Sequence, residues 1–383
     1  MPSLPQPSAE ALQHSHQLTR LIQQEIADHN GWISFARFME LALYAPGSGY
    51  YSAGSAKFGQ TGDFVTAPEI SSLFGRTLAR QVAQILQLVG GNILEAGAGS
   101  GRLALQLLCE LERLGNLPAQ YFILEVSADL QQRQQATFRE QAPHLLNRIV
   151  WLSALPATFN GIILGNEVLD AMPVHLLSWQ TNGVHERGVM YQENAFVWRD
   201  QPLAQGKLLD VASEIQVPPG YVSEVNLAAR GFIASLAHAL QHGIILMIDY
   251  GFGASEYYHP QRTQGTLMCH YRHYAHAEPF YLPGLQDITA HVDFSAIALA
   301  GIDNGLQLMG YTTQASFLLN CGITDVLAQT PAENAGAYLP LANQAQKLLS
   351  PAEMGELFKV IALGKGISDG LSGFVTGDKS RLL

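Results

Sequence analysis

Charge is scarce in this chain. Only 14% of its 383 residues are charged while 48% are hydrophobic, against roughly 25% charged in an average globular protein. That composition excludes a disordered, collagen-like or coiled-coil chain and leaves enough apolar residues for a large core, in one domain with insertions or in two. Positive charge is scarcer still: 21 Lys and Arg against 32 Asp and Glu leave a net charge of −11. A broad acidic field repels phosphate backbones and excludes a general nucleic-acid-binding role, whereas a basic or neutral partner is readily accommodated. Cysteine is nearly missing. Cys109, Cys269 and Cys321 are isolated, with no C-x-x-C spacing, so neither a disulfide framework nor a cysteine zinc site is indicated. Long apolar runs are missing too, since stretches such as 243–248 are strand-length and far short of the about 20 residues that span a membrane. The opening MPSLPQPSAEALQ has no basic or apolar targeting segment, and the first arginine is Arg20. The expectation is a soluble cytoplasmic protein without a membrane span.

Apolar residues at helical spacing predict helices over 9–29 and 33–43, followed at 47–68 by a glycine-rich loop that also carries Tyr50, Tyr51, Phe58 and Phe64. Aromatics are superfluous in a simple linker, so this loop reads as ordered and functional. A helix at 69–89 leads into alternating strands and helices: strand 92–96, helix 101–114, strand 120–126, helix to about 139, strand 148–152, strand 161–165, then a central strand at 243–250 that is apolar on both faces. That alternation predicts an α/β fold with a doubly wound, parallel, Rossmann-like sheet. Between the last two strands, 175–180, 184–191 and 195–198 read as an antiparallel meander, and a helix at 222–241 returns the chain. Residues 251–290 are irregular; helices near 293–301 and 313–321, a helical pair at 338–355 and a closing strand at 358–363 complete the chain. The expected divisions are a cap and loop at 1–68, a first core segment at 69–173, an inserted meander and helix at 174–242, and the remaining core at 243–383 with a cleft insertion at 251–312.

Chemistry concentrates at strand ends. Ile93 to Gly101 reads ILEAGAGSG, a strand running into a glycine turn that opens a helix, where free amides and the helix dipole meet an anionic group. A dinucleotide fingerprint needs a further glycine where Arg102 stands. The G-x-G-x-G spacing, with Glu95 two residues before Gly97, matches an S-adenosylmethionine site instead, with Gly97, Gly99 and Gly101 at the cofactor. Glu125, at the end of the next strand beside Val126, suits the ribose hydroxyls of either nucleotide. The fourth strand ends in Asn166-Glu167-Val168-Leu169-Asp170, where the methyl acceptor must sit. The Asn/Asp-Pro-Pro-aromatic run of enzymes that methylate nucleobase amines is missing, and paired acids suit a planar guanidinium. His270, His273 and His276 recur every three residues, but the flanking glycines and prolines disfavour the helix that would align them on a metal, and no metal site is expected. Gln286, Asp287 and His291 are polar candidates for lining an acceptor cleft.

Taken together, GDFVTAPEIS at 62–71, the glycine turn, Glu125-Val126-Ser127, the run from Asn166 to His175 and QDITAHVDF at 286–294 resemble the MidA-type methyltransferases, relatives of a mitochondrial complex I assembly factor, over roughly 18–365. The resemblance implies a class I methyltransferase fold and S-adenosylmethionine as donor, with the 62–71 segment, Thr66 and Pro68 included, covering the cofactor. It implies a protein substrate, with symmetric dimethylation of an arginine in a complex I core subunit. In that reading Glu167, aided by Asp170 and Asn166, orients the guanidinium, and His273 is a candidate for taking up the proton. A non-catalytic assembly chaperone, a small-molecule methyltransferase and a nicotinamide oxidoreductase are the competing readings.

Overall fold

The computed structural model describes residues 4–52 and 66–383. It divides into two compact units. One comprises 65–168, 231–253 and 292–383; the other comprises 1–64, 169–230 and 254–291. Where the sequence suggests four successive divisions, the N-terminal helices, the meander and residues 254–291 thus pack together as one body.

The first unit is built on a sheet whose main strands are β1 (Asn92–Ala96), β2 (Tyr121–Leu124), β3 (Ile149–Leu152), β4 (Phe159–Asn166), β5 (Leu240–Phe252), β6 (Gln307–Thr313) and β7 (Phe358–Lys365). Their order is β6-β7-β5-β4-β1-β2-β3. The five strands β1 to β5 run parallel, and β7 is antiparallel to both β5 and β6. The chain reverses its direction of strand addition between β1 and β4, so the carboxyl ends of these two strands flank the crevice where an open α/β sheet binds ligand. This is the class I methyltransferase arrangement that the sequence leads one to expect.

Periodicity explains the layers. Helix Ser72–Val89 buries Leu73, Phe74, Leu78, Val82, Ile85 and Leu86, and helix Arg102–Arg113 buries Leu103, Leu107, Leu108 and Leu111. Both stripes recur at three- and four-residue spacing and join Ile93, Ile123, Ile162, Leu246 and Val360 of the sheet in one core. Strands covered on both faces are apolar throughout, as in Ile244 to Ile248.

The second unit centres on an antiparallel sheet with the order Ile33–Ser34, Gly183–Gln192, His175–Gln180, Tyr221–Val225, to which Ala195–Pro202 adds beside Gly183–Gln192. Leu18, Ile22, Phe35 and Phe38 pack with Leu176, Val189 and Ile288 in its larger core. Leu177, the next residue along the strand, faces the other way and joins Trp179 and Tyr221 in a smaller one. Several local expectations change. Residues 221–225 form a strand, not the start of a helix, and the helix is confined to Leu227–Ala239. Of the helical pair expected at 338–355 one helix forms, Ala335–Leu349, with turns over 351–357 in place of the second, and an unexpected helix, Ile323–Ala328, precedes it. Strand β6 and helix Lys207–Glu214 lack a clear sequence signal. Residues 251–290 contain a three-stranded sheet of Met268–Tyr271, Tyr274–His276 and Asp287–Thr289. Among the described residues no helix is long and apolar enough to cross a membrane.

Candidate active site

In the first unit the glycine turn connects β1 to helix Arg102–Arg113. Gly97, Gly99 and Gly101 all have positive φ, at 66°, 52° and 80°. A Cβ on Gly97 would sit 3.0 Å from Val168 Cγ2, and one on Gly101 would sit 3.2 Å from Gln134 Cα. Both glycines therefore serve conformation and close approach together. The helix opens on Gly101, which has no side chain to cap it; the Arg102 amide donates to Ser100 Oγ at 3.4 Å, and the amides that follow it in the first turn suit an anion. Ser100 Oγ donates to Glu69 Oε1 at 2.5 Å and Arg102 pairs with Glu69 at 3.1 Å, which fastens the turn to the helix Ala67–Ile70.

Glu125 is buried at the end of β2. Its Oε1 accepts from the Ser127 amide at 2.9 Å and its Oε2 from Gln134 Nε2 at 3.3 Å. Burial raises its carboxyl above the ordinary range although both bonds oppose the shift. A carboxylate has about four acceptor positions, so ribose hydroxyls can add to these two donors. Val126 beside it is 80% exposed and offers an apolar surface to a ligand ring. Gln134 also donates to Gly99 O at 3.0 Å and accepts from Trp151 Nε1 at 2.8 Å. This buried glutamine, which sequence reading passes over, ties the glycine turn to Glu125; a lone Gln inside a polar helix gives no signal until the fold brings it there. Glu95 is buried on β1 and accepts from Tyr121 OH at 2.8 Å. Burial, reinforced by the charge of Glu125 and opposed by the tyrosine bond, pushes its carboxyl up to about 7.

At the end of β4, Asn166 Nδ2 donates to Glu167 Oε1 at 3.1 Å, and the Ala67 amide donates to the same oxygen at 3.4 Å. Asn166 Oδ1 is buried and receives no donor among the described residues. Glu167 itself has φ 53°, a region that non-glycine residues rarely occupy outside functional or tightly constrained positions. Thr66 precedes the helix Ala67–Ile70 without capping it through its side chain, and Pro68 is buried with its carbonyl accepting from Gln106 Nε2 at 2.8 Å. Residues 53–65, which include Phe58, Phe64 and the start of the covering segment expected at 62–71, lie outside the described residues.

The second unit holds the other candidates. Asp170 and Asp287 are both buried. Tyr51 OH donates to Asp287 Oδ1 at 3.0 Å, Tyr44 OH donates to Ala171 O at 2.9 Å, and the two rings stack with centroids 5.5 Å apart. Burial, and then the charges of Asp287 and Asp170, raise both phenols, which remain protonated donors. Asp170, Asp287 and two tyrosines therefore share one acidic, aromatic neighbourhood. Gln286 is engaged elsewhere, donating to the carbonyls of Glu278 and Pro279 at 3.1 and 2.9 Å. His291 is half-buried, its amide donating to Thr266 Oγ1 at 3.0 Å. His273 is exposed at a two-residue hairpin turn, with φ 66° after Arg272 at 48°, and makes no hydrogen bond or ion pair among the described residues. The hairpin, not a helix, carries His270 and His276, and among the described residues no group of three potential ligands converges on a metal position.

Known proteins of similar sequence and structure point the same way. A family described as "Putative S-adenosyl-L-methionine-dependent methyltransferase" matches residues 77–312. A crystal structure from Burkholderia thailandensis bound to S-adenosyl-homocysteine is 52% identical, covers 100% of both chains and superposes with a TM-score of 0.97. The protein arginine methyltransferase NDUFAF7, mitochondrial, of Danio rerio is 29% identical over 87% of this chain and 83% of its own length. The Drosophila melanogaster homologue is 26% identical over 95% and 88%. The residues present fit S-adenosylmethionine: the first-turn amides beyond Arg102 suit its carboxylate, Asn166 Oδ1 lacks a donor among the described residues that an N–H can supply, and Glu125 retains acceptor positions. A strand order that puts the glycine turn and Asn166 at neighbouring carboxyl ends, together with a match over more than half its length, places this chain in the S-adenosyl-L-methionine-dependent methyltransferase family.

Proposed function

We propose that this enzyme is a protein arginine methyltransferase that symmetrically dimethylates an arginine in a core subunit of respiratory complex I during assembly. The observation that carries the reading is Glu167, a carboxylate held in a left-handed backbone at the carboxyl end of β4. The buried acids Asp170 and Asp287 beside Tyr44 and Tyr51 support a cationic acceptor, because carboxylates grip the guanidinium fork and aromatic faces attract it. Relatives named as protein arginine methyltransferases support the same acceptor class.

The cofactor supplies an electrophilic sulfonium methyl. Arginine is a poor nucleophile because it is protonated at all ordinary pH values. Glu167 orients the guanidinium and draws positive charge toward one edge, so that the nitrogen facing the methyl keeps lone-pair density. Positioning and electrostatics account for the catalysis. Asn166 accepts an N–H at its buried Oδ1. The proton that the methylated nitrogen loses passes to the Glu167 carboxylate, and His273, exposed on its turn, is the candidate for handing it on to solvent.

The test is transfer of labelled methyl from S-adenosylmethionine into proteins of a lysate from cells lacking the gene, followed by amino-acid analysis of any labelled band. Label in symmetric dimethylarginine on one complex I subunit supports the proposal. Absence of protein label from an enzyme that binds S-adenosylhomocysteine normally overturns it in favour of a small-molecule acceptor or a chaperone. Glu167→Gln should retain cofactor binding and lose roughly 100-fold or more in rate; full turnover in that variant refutes the role given to Glu167.

A further inference from the structure

Asp249 lies near the carboxyl end of β5 and is 1% exposed. One of its carboxylate oxygens accepts from the Val168 amide at 3.1 Å, and the other accepts from the Tyr250 amide at 2.9 Å. The carbonyl of the preceding Ile248 accepts from the Glu167 amide at 2.9 Å. Strand β5 thus holds two consecutive amides of the segment leaving β4, and the first of those two residues, Glu167, is the one at φ 53°. Val168 in turn lies against Gly97, with its Cγ2 3.0 Å from the position a Cβ would take. A single buried carboxylate therefore secures the turn that presents Glu167 and abuts the glycine loop.

Its chemistry suits the task. A buried charge costs desolvation and is retained only where its bonds are of use. A carboxylate accepts at both oxygens, whereas an asparagine in its place turns an NH2 toward one of the two amides. Lys359 stands directly opposite Asp249 in the antiparallel register of β7, hence on the same face of the sheet, and is also buried. Its ammonium donates to the carbonyls of Glu356 and Leu357, placing a cation on the face where the anion lies.

We propose that Asp249 is a positioning residue for methyl transfer, fixing the backbone of Glu167 and Val168 so that the Glu167 carboxylate meets the acceptor. The proposal rests on the catalytic reading of Glu167 given above. It is tested by a double-mutant cycle of Asp249→Asn and Glu167→Gln. Initial rates of labelled methyl transfer into lysate protein are measured together with calorimetric titration by S-adenosylhomocysteine and thermal melting. Misplacing a reacting group by about 1 Å costs on the order of 100-fold, so Asp249→Asn should lose roughly 10- to 100-fold in rate in the native background. In the Glu167→Gln background the same substitution should cost less than about 2-fold, because residues acting through one group are not additive. S-adenosylhomocysteine affinity should stay within about 3-fold throughout, the signature of a positioning role confined to the transition state. Equal losses in both backgrounds, an undiminished rate, or a fall in affinity that accounts for the lost rate overturns the proposal. A full rate in Glu167→Gln alone refutes the catalytic reading of Glu167 itself, an outcome distinct from these. Should Asp249→Asn fail to fold, Asp249→Ser, whose hydroxyl still accepts from one amide, is carried through the same cycle.

Discussion

Glu95 shows how one buried group couples stability to pH. Its carboxyl is raised from an ordinary 4.5 to about 7 in the folded protein, chiefly by burial. Between those values the folded state binds a proton that the unfolded chain has released, so stability falls as pH rises through this window and the penalty is complete above about 7. The cost reaches about 3 to 4 kcal/mol at ~1.4 kcal/mol per unit. Urea melts at about pH 5 and about pH 8 should show this decline in the native protein and a smaller one in Glu95→Gln, which keeps an oxygen for Tyr121 OH; an identical pH dependence in the two refutes the assignment. Gly97 acts through space. A valine there meets positive φ and Val168 together, and S-adenosylhomocysteine affinity measured by calorimetry should fall by about 100-fold or more. Both residues stand out in the sequence because a strand, a glycine turn and an acid at fixed spacing carry a local signal. Gln134 and Asp249 do not: each acts on residues distant in the chain, at Gly99 and Val168.

At the scale of elements, the strand Tyr221–Val225 explains why a helix expected at 222–241 begins later. Tyr221, Val222 and Val225 favour a pleated strand, and Glu224, buried within it, receives the amides of Thr266 and Leu267 at 2.8 Å each and Tyr257 OH at 3.2 Å. A helical pattern search sees a polar residue at 224, whereas the fold uses it to anchor a loop. Glu224→Ala leaves the buried Thr266 amide and the half-buried Leu267 amide without their acceptor and should cost about 2 to 3 kcal/mol, visible as a lower urea midpoint. An unchanged midpoint shows that the loop does not need this anchor. The centres of β4 and β5 are legible because burial on both faces makes them continuously apolar, and β1 to β3 are legible as short apolar runs alternating with helices. Strand β6, with Gln307 exposed and Gly310 at a register shift in its pairing with β7, lacks that mark and is set by its neighbour.

Across the whole molecule, the net charge of −11 favours encounter with a basic acceptor segment over exposed charges that salt screens. Under the proposed methylation of an arginine in a protein, the rate at low acceptor concentration should therefore fall several-fold when ionic strength rises from about 0.05 to about 0.5 M, while S-adenosylhomocysteine affinity changes little. A salt-insensitive rate argues against a cationic acceptor. The chain enters each of its two units three times, and no local pattern announces such regrouping, since it depends on which apolar faces cover one another. Hydrophobic period and turn chemistry act over a few residues, so the parallel α/β sheet, the glycine turn, Glu125 and the segment carrying Asn166 and Glu167 are legible in the chain alone. No local pattern announces that Gln134 bridges Gly99 and Glu125, that Tyr51 meets Asp287 or that Asp249 holds Val168. Those partners stand 9 to 236 residues apart, and their buried polar groups find one another only once the sheet has set the register.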